Sequence, residues 1–174
     1  MKRFISKTLT VGLLTIFGLS SIYAQDAKKE SISEERERLV KPYNPKENAE
    51  KKLAELVQKA QAEGKNIMIQ AGGNWCIWCL RFNQYVLDHP ELKKFVDENY
   101  YYYHLNYSKE NKNEKLFKTF GTPGKYGFPV FVILDKNGKQ IHTQSSDIFE
   151  DENDDNSYNY EKVKAFFEKW TPKK

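Results

Sequence analysis

Apolar residues recur along this chain with two different periods, and the change between the periods predicts the order of helices and strands. Residues 45–63 carry apolar side chains three or four positions apart, which predicts an amphipathic helix. These side chains are Ala49, Leu53, Leu56, Val57 and Ala60. The continuous apolar runs at 66–70 and 128–134 instead predict buried strands.

Turn and capping residues set the expected boundaries. The run Asn44–Glu47 has a capping residue, a proline and a glutamate in the order typical of a helix start, and Gly64 ends that helix. A second run of this kind, Asp88–Glu91, predicts a helix to about Glu98. Another helix is predicted from about Cys76, directly after a strand and a loop.

The rest of the pattern completes an α/β fold. It predicts an aromatic strand at 100–107, a short helix at 112–120, a strand at 139–144 after a hairpin turn, and a last helix at 160–170. The resulting order of elements implies a small sheet covered by helices on both faces.

The first residues have the layout of a secretory signal peptide. Lys2, Arg3 and Lys7 precede an apolar stretch at about 8–22, and Ala24 supplies the small side chain of a cleavage site. We therefore expect residues 1–24 to be a signal peptide and the protein to be exported, to the periplasm in our interpretation. Residues 25–44 are rich in charge and are expected to form an exposed extension before one domain at 45–174.

The charge of the chain gives no support to a nucleic-acid partner. The formal net charge is +4, and much of it comes from the predicted signal peptide. The rest of the chain has no cluster of lysine and arginine interleaved with aromatic residues, which a phosphate-binding surface would need.

The two cysteines of the sequence are the strongest candidates for chemistry. Cys76 and Cys79 are three positions apart, too close to brace a fold as a disulfide scaffold does. At a helix N-terminus, unpaired backbone N–H groups and the helix dipole stabilise the thiolate of the first cysteine. A redox pair is therefore the preferred interpretation.

Two other interpretations of the pair stay open at this stage. A structural zinc or copper site would need further ligands, and His89, His104 and His142 are not spaced as a partner pair. The histidines are better explained by packing or exposure. The second alternative is a domain that binds peptides without turnover.

Residues 46–170 resemble the thioredoxin family, in its exported, periplasmic branch of thiol-disulfide oxidoreductases. The resemblance rests on Trp75-Cys76-Ile77-Trp78-Cys79 at a helix start and on Phe128-Pro129 at a strand start. It implies a thioredoxin fold, with a central mixed β-sheet flanked by helices on both faces. It also implies a cis bond before Pro129, which then packs against the cysteine pair.

The resemblance implies roles for individual residues as well. Cys76 and Cys79 would be catalytic, and substrate would be bound by the residues around them: Trp75, Ile77, Trp78, Phe128 and Pro129. Gln70 stands where thioredoxins usually place a buried aspartate that takes a proton from the second cysteine. An amide cannot take that proton, so Gln70 is the residue on which proton handling is expected to differ.

The expected activity is thiol-disulfide exchange with protein disulfides or dithiols. Of the two directions we favour reduction, because the members most similar to this pattern are commonly recycled by a membrane electron carrier. That carrier would be the second partner. No cofactor or metal is expected, and we expect a monomer.

An acidic stretch precedes the last helix. Between 147 and 155 the sequence has six acidic residues and no base: Asp147, Glu150, Asp151, Glu152, Asp154 and Asp155. We expect a solvated loop there, with selection of basic substrates or calcium binding as the alternatives.

Overall fold

A computed structural model describes residues 30–173, so the signal peptide predicted at 1–24 lies outside the described residues. The α-helices are α1 (Ile32–Arg38), α2 (Ala49–Glu63), α3 (Ile77–Asp88), α4 (Pro90–Asn99), α5 (Glu114–Thr119) and α6 (Tyr160–Lys169). The strands are β1 (Asn66–Gly72), β2 (Tyr100–Asn106), β3 (Val130–Leu134), β4 (Gln140–Ser145), β5 (Glu150–Asp151) and β6 (Asp154–Tyr158). Across residues 30–173, none of the helices has the length and apolar character needed to span a bilayer.

The main sheet is mixed and has four strands in the order β2-β1-β3-β4. β1 and β2 run parallel, with Gln70 opposite His104, while β3 is antiparallel to both of its neighbours. Two parallel strands need a long crossover, and α3 and α4 supply it between β1 and β2. The sheet confirms the predicted α/β class.

Helices cover both faces of this sheet, as predicted. Side chains alternate along a strand, so Ile67, Ile69 and Ala71 pack on one face with α2 and α5. Met68 faces the other way and packs with α3, α4 and α6. β1 is buried along its whole length because both of its faces are covered.

Phe82 of α3 is the centre of the second apolar face. Its side chain is fully buried, and its ring lies 4.6 to 6.3 Å, centroid to centroid, from four other aromatic rings. These rings belong to Phe131, Phe149, Tyr158 and Phe167. They join β3, the segment around β5 and β6, and α6 to the helix that carries the cysteines.

Two predicted helix starts are wrong. Asn48, not Asn44, caps α2, and its side chain accepts a hydrogen bond from the N–H of Lys51. Asp88 is the last residue of α3 and does not cap α4, which begins with Pro90 after His89. Gly64 does end α2, with a left-handed φ of 69°.

The acidic stretch is more ordered than a solvated loop. A short 3-10 helix, Asp147–Phe149, leads into β5, which pairs antiparallel with β6. The acidic side chains stay on the surface, whereas Phe149 and Tyr158 are buried against α3 and α6. These two aromatic anchors explain why the segment forms a hairpin.

The described part of the extension predicted for residues 25–44 is mostly exposed, as expected, but two of its side chains are buried. Leu39 is 6% exposed and Tyr43 is 3% exposed. Glu35 of α1 accepts two hydrogen bonds from the Arg81 guanidinium of α3, at 2.8 and 2.7 Å. Both side chains of this ion pair are largely buried, so the pair attaches α1 to the cysteine-bearing helix.

We predict that Phe82→Ala lowers the free energy of unfolding by about 3–5 kcal/mol, because it removes a buried aromatic ring and leaves a cavity. The measurement is urea denaturation with the disulfide intact. The matched control on the same helix is Leu87→Ala, where the side chain is 42% exposed and a change of less than about 1 kcal/mol is expected. Equal effects of the two substitutions would contradict this view of the core.

Candidate active site

Cys76 and Cys79 form a disulfide at the start of α3. Cys76 is the N-cap residue, and its sulfur accepts a hydrogen bond from the backbone N–H of Cys79 at 3.1 Å. Cys76 retains 7% of its surface, whereas Cys79 is completely buried. The sulfur that an incoming molecule can reach is therefore that of Cys76, and this sulfur lies at the positive end of the helix.

The start of β3 lies against the cysteine pair. The Phe128–Pro129 peptide bond is cis, as the resemblance implied, and Pro129 is buried. The carbonyl oxygen of Phe128 lies 3.6 Å from the sulfur of Cys76. A backbone carbonyl beside a reachable sulfur is a suitable acceptor for the backbone of a peptide.

Three aromatic side chains form a rim next to Cys76. Trp75 is 49% exposed, and its indole N–H donates to the carbonyl of Tyr107 at 2.7 Å. The ring of Phe128 meets Trp75 edge to face at 5.6 Å and stacks on Tyr107 at 5.2 Å. Tyr107 was not predicted as a site residue, although the end of β2 lies beside the end of the parallel strand β1.

The two residues between the cysteines have different surroundings. Ile77 is partly exposed on the first turn of α3. The ring of Trp78 packs on Tyr158 at 5.5 Å and lies under the guanidinium of Arg81 at 4.9 Å. The hydroxyl of Tyr158 donates to the carbonyl of Trp78 at 3.0 Å. Trp78 thus packs on a different set of residues from the rim of Trp75, Tyr107 and Phe128.

Gln70 lies on β1 beneath Cys79 and is fully buried. Its amide nitrogen donates to the carbonyl of Cys79 at 2.9 Å and to the hydroxyl of Tyr43 at 2.8 Å. Its amide oxygen accepts from the hydroxyl of Tyr102 at 2.6 Å. The side chain points towards the cysteines, where proton handling was expected, and its polar atoms are well satisfied.

Tyr43 is a site residue that the sequence analysis placed in an exposed extension. Asn74, in the loop before Cys76, binds both the backbone N–H and the carbonyl of Tyr43, at 3.2 and 2.8 Å. The Tyr43 side chain forms a buried cluster with Cys76 and Cys79. Its only sequence signal was an aromatic residue in an otherwise charged segment.

His104 lies opposite Gln70 in the sheet, beside Tyr43 and Tyr102, with ring centroids 5.2 and 5.1 Å away. Its Nε2 and the amide nitrogen of Asn83 are buried without a hydrogen-bond partner within the described chain. Both residues line a cavity of about 270 Å³. Burial lowers the pKa of His104 to about 4, so its ring is neutral at pH 7.

The described residues offer no arrangement suited to a metal. Across 30–173, no group of three or more histidine, cysteine, aspartate or glutamate side chains is placed to hold an ion. The acidic hairpin of β5 and β6, for which calcium binding was an alternative, lies within these residues.

Comparison with known proteins shows similarity over about half of this chain. A family model described as thioredoxin-like matches residues 48–136. The disulfide bond reductase DsbH of Chlamydia pneumoniae is 26% identical over 97 residues, which cover 51% of this chain and 57% of that protein. The thiol:disulfide interchange protein DsbD of Actinobacillus pleuropneumoniae is 29% identical over 94 residues, covering 53% and 15%.

A solved structure supports the fold. The disulphide isomerase of Xylella fastidiosa superposes with a TM-score of 0.62 at 17% identity, over 74% of this chain and 95% of that one. At this identity the likeness concerns the fold alone. The curated relatives, in turn, are matched over little more than half of their length or much less.

We predict that His104 makes the protein less stable as the pH falls from about 6.5 to about 4. Its pKa is lowered in the folded state, so the unfolded chain takes up the proton first, and up to about 3 kcal/mol is lost across this window. His104→Phe keeps an aromatic ring beside Tyr43 and should reduce this loss. The measurement is urea denaturation from pH 7 to pH 4, and parallel curves for the two proteins would contradict the prediction.

Proposed function

Since the chain belongs to the thioredoxin-like family, we propose that it is a thiol-disulfide oxidoreductase acting on protein disulfides and dithiols outside the cytoplasm. The observation that carries the proposal is the position of Cys76. Its sulfur caps α3, belongs to the more accessible member of the pair, and is bonded to a fully buried second cysteine. A nucleophile followed by a resolving thiol is what disulfide exchange requires.

The first step is attack by the reduced Cys76. Its thiolate is stabilised by the backbone N–H of Cys79 and by the dipole of α3. The thiolate attacks one sulfur of a substrate disulfide, so a Cys76–substrate bond forms as the substrate S–S bond breaks. The other substrate sulfur leaves as a thiolate and takes up a proton from solvent.

The second step releases the substrate. Cys79 loses its thiol proton and attacks the sulfur of Cys76, which restores the Cys76–Cys79 disulfide. The second substrate sulfur departs as a thiolate, so two electrons have passed from the pair to the substrate. The same steps in reverse oxidise a dithiol.

The aromatic rim provides the surface for a substrate chain. Trp75 is half exposed next to Cys76, and the carbonyl of Phe128 lies beside the sulfur of Cys76. In the proposal an extended substrate segment pairs with the backbone at Phe128 and Pro129 and places its side chains on Trp75. Ile77 adds apolar surface, and Trp78, which packs on Tyr158, contributes the part of its side chain that stays uncovered.

Reduction is the direction that we favour. One relative is named a disulfide bond reductase, and others are thiol:disulfide interchange proteins. A reductase outside the cytoplasm needs a supply of electrons, which we assign to a membrane electron carrier. Export itself rests on the layout of residues 1–24.

We predict that Cys79→Ala accumulates covalent adducts with substrate proteins, because Cys76 still attacks but nothing resolves the mixed disulfide. The measurement is recovery of adducts that dissociate with dithiothreitol, together with insulin reduction by wild type. Cys76→Ala is the matched control and should trap nothing. Adducts on Cys76→Ala alone would show that the two cysteines have the reverse roles. If wild type does not reduce insulin and all variants bind the same partners non-covalently, the protein is a peptide-binding module.

Gln70 is proposed to make the second step slow near neutral pH. Gln70 lies on β1, and its side chain donates a hydrogen bond to the backbone carbonyl of Cys79. An amide accepts no proton from a thiol. Cys79 is fully buried, and desolvation disfavours its thiolate. Release of the mixed disulfide should therefore accelerate as the pH rises.

We predict that Gln70→Asp releases a synthetic peptide from its mixed disulfide faster than wild type at pH 7, because a carboxylate can take the proton of Cys79. The variant should also be less stable by a few kcal/mol, since it buries a charge and loses the amide donors to Tyr43 and Cys79. Stopped-flow release and thermal unfolding provide the two readouts. Equal release rates for both proteins from pH 6 to pH 9 would contradict a role for Gln70 in proton handling.

A further inference from the structure

The hydroxyl of Tyr43 lies next to the buried sulfur of Cys79, and the two-step mechanism gives it no role. A β-carbon added to Gly72 would lie 2.5 Å from the sulfur of Cys79 and 3.0 Å from the hydroxyl oxygen of Tyr43. Both atoms therefore border the same small space over Gly72. Any side chain at this position would collide with the sulfur of Cys79.

The hydrogen bonds of Gln70 determine where the Tyr43 proton is available. The carbonyl of Cys79 can only accept, so the atom of Gln70 that faces it must be the amide nitrogen. The same nitrogen contacts the Tyr43 hydroxyl, which is therefore the acceptor in that bond. The O–H of Tyr43 therefore remains available as a donor, and within residues 30–173 its oxygen makes no further hydrogen bond.

We propose that the O–H of Tyr43 donates to the sulfur of Cys79 once the Cys76–Cys79 bond is open, and so stabilises the thiolate that resolves the mixed disulfide. The inference rests on the proposed function. A disulfide sulfur is neutral and a weak acceptor, whereas a thiolate carries a full charge and forms a stronger, charge-assisted bond. The proton of the Cys79 thiol goes to solvent, and tyrosine keeps its own.

The other titratable groups around Cys79 are not available to donate a hydrogen bond to its sulfur. Burial raises the pKa of Tyr43 and Tyr102 well above the usual range, and raises that of Tyr158. His104 is neutral at pH 7, and on α3 itself Arg81 is engaged by Glu35. The hydroxyl of Tyr102 donates its hydrogen bond to Gln70, and that of Tyr158 donates to the carbonyl of Trp78. Of the three tyrosines, Tyr43 is therefore the one whose O–H has no acceptor within the described residues.

The N-terminal segment holds Tyr43 in this position. Asn74 binds the backbone of Tyr43 through two hydrogen bonds, and the Glu35–Arg81 ion pair fixes the preceding helix to α3. Tyr43 also precedes residue 48, where the match to the family model begins. This chain thus supplies to the resolving cysteine a donor from outside the matched region.

The test is the pKa of Cys79 itself, measured by ultraviolet thiolate absorbance in Cys76→Ser, with Cys76→Ser/Cys79→Ser as the blank. Adding Tyr43→Phe should raise this pKa by about one unit or more, because a hydrogen bond to a charged group is lost. Release of a peptide from Cys76 in otherwise wild-type protein should slow about tenfold at pH 7 and recover at alkaline pH.

Tyr102→Phe is the matched control, since it removes the tyrosine hydroxyl that donates to the amide oxygen of Gln70. A pKa unchanged by Tyr43→Phe, or raised equally by Tyr102→Phe, would overturn the inference. If Tyr43→Phe does not fold, Asn74→Ala loosens the same residue and should raise the pKa by a smaller amount, and no rise there would also overturn it. The titration of Cys79 requires no turnover, so it tests the role of Tyr43 alone. The proposed function would be refuted separately if wild-type protein did not reduce insulin.

Discussion

The hydrogen bond from the backbone N–H of Cys79 to the sulfur of Cys76 is the contact on which the site depends. The first N–H groups of a helix need acceptors, and here a sulfur atom replaces the usual side-chain oxygen. This choice places the reactive atom at the positive end of α3. The surrounding elements leave that end of α3 accessible to a peptide and keep the second cysteine buried away from solvent.

The core beneath the cysteines combines two environments. The apolar face centred on Phe82 fixes α3 through aromatic packing, whereas the region under Cys79 is polar. Gln70 offers two donor bonds and one acceptor bond there, and all three are used. A fully satisfied buried amide avoids most of the cost of burying polar atoms, and it orients the groups around it.

Much of this arrangement could be predicted from local signals. The start of α3 at Cys76 followed from a strand, a loop and a helical period, and the strand at Val130–Leu134 followed from an apolar run. The α2 boundary was misplaced because Asn44 and Asn48 are both good capping residues, and only tertiary contacts choose between them. The hairpin of β5 and β6 was missed because its anchors, Phe149 and Tyr158, sit among acidic residues without a strand period.

The contacts of Tyr43 could not be read from sequence for a different reason. Its partners Gln70 and Asn74 are 27 and 31 positions away, and no local pattern marks a long-range hydrogen bond. As a result, the segment before α2 looks like a solvated arm by composition but is integrated by its contacts. The region that matches the family model and the region that forms the site are therefore different lengths of chain. Residues ahead of the shared domain can adjust its chemistry without altering its fold, so proteins with the same two cysteines can acquire different reactivities from their leading segments alone.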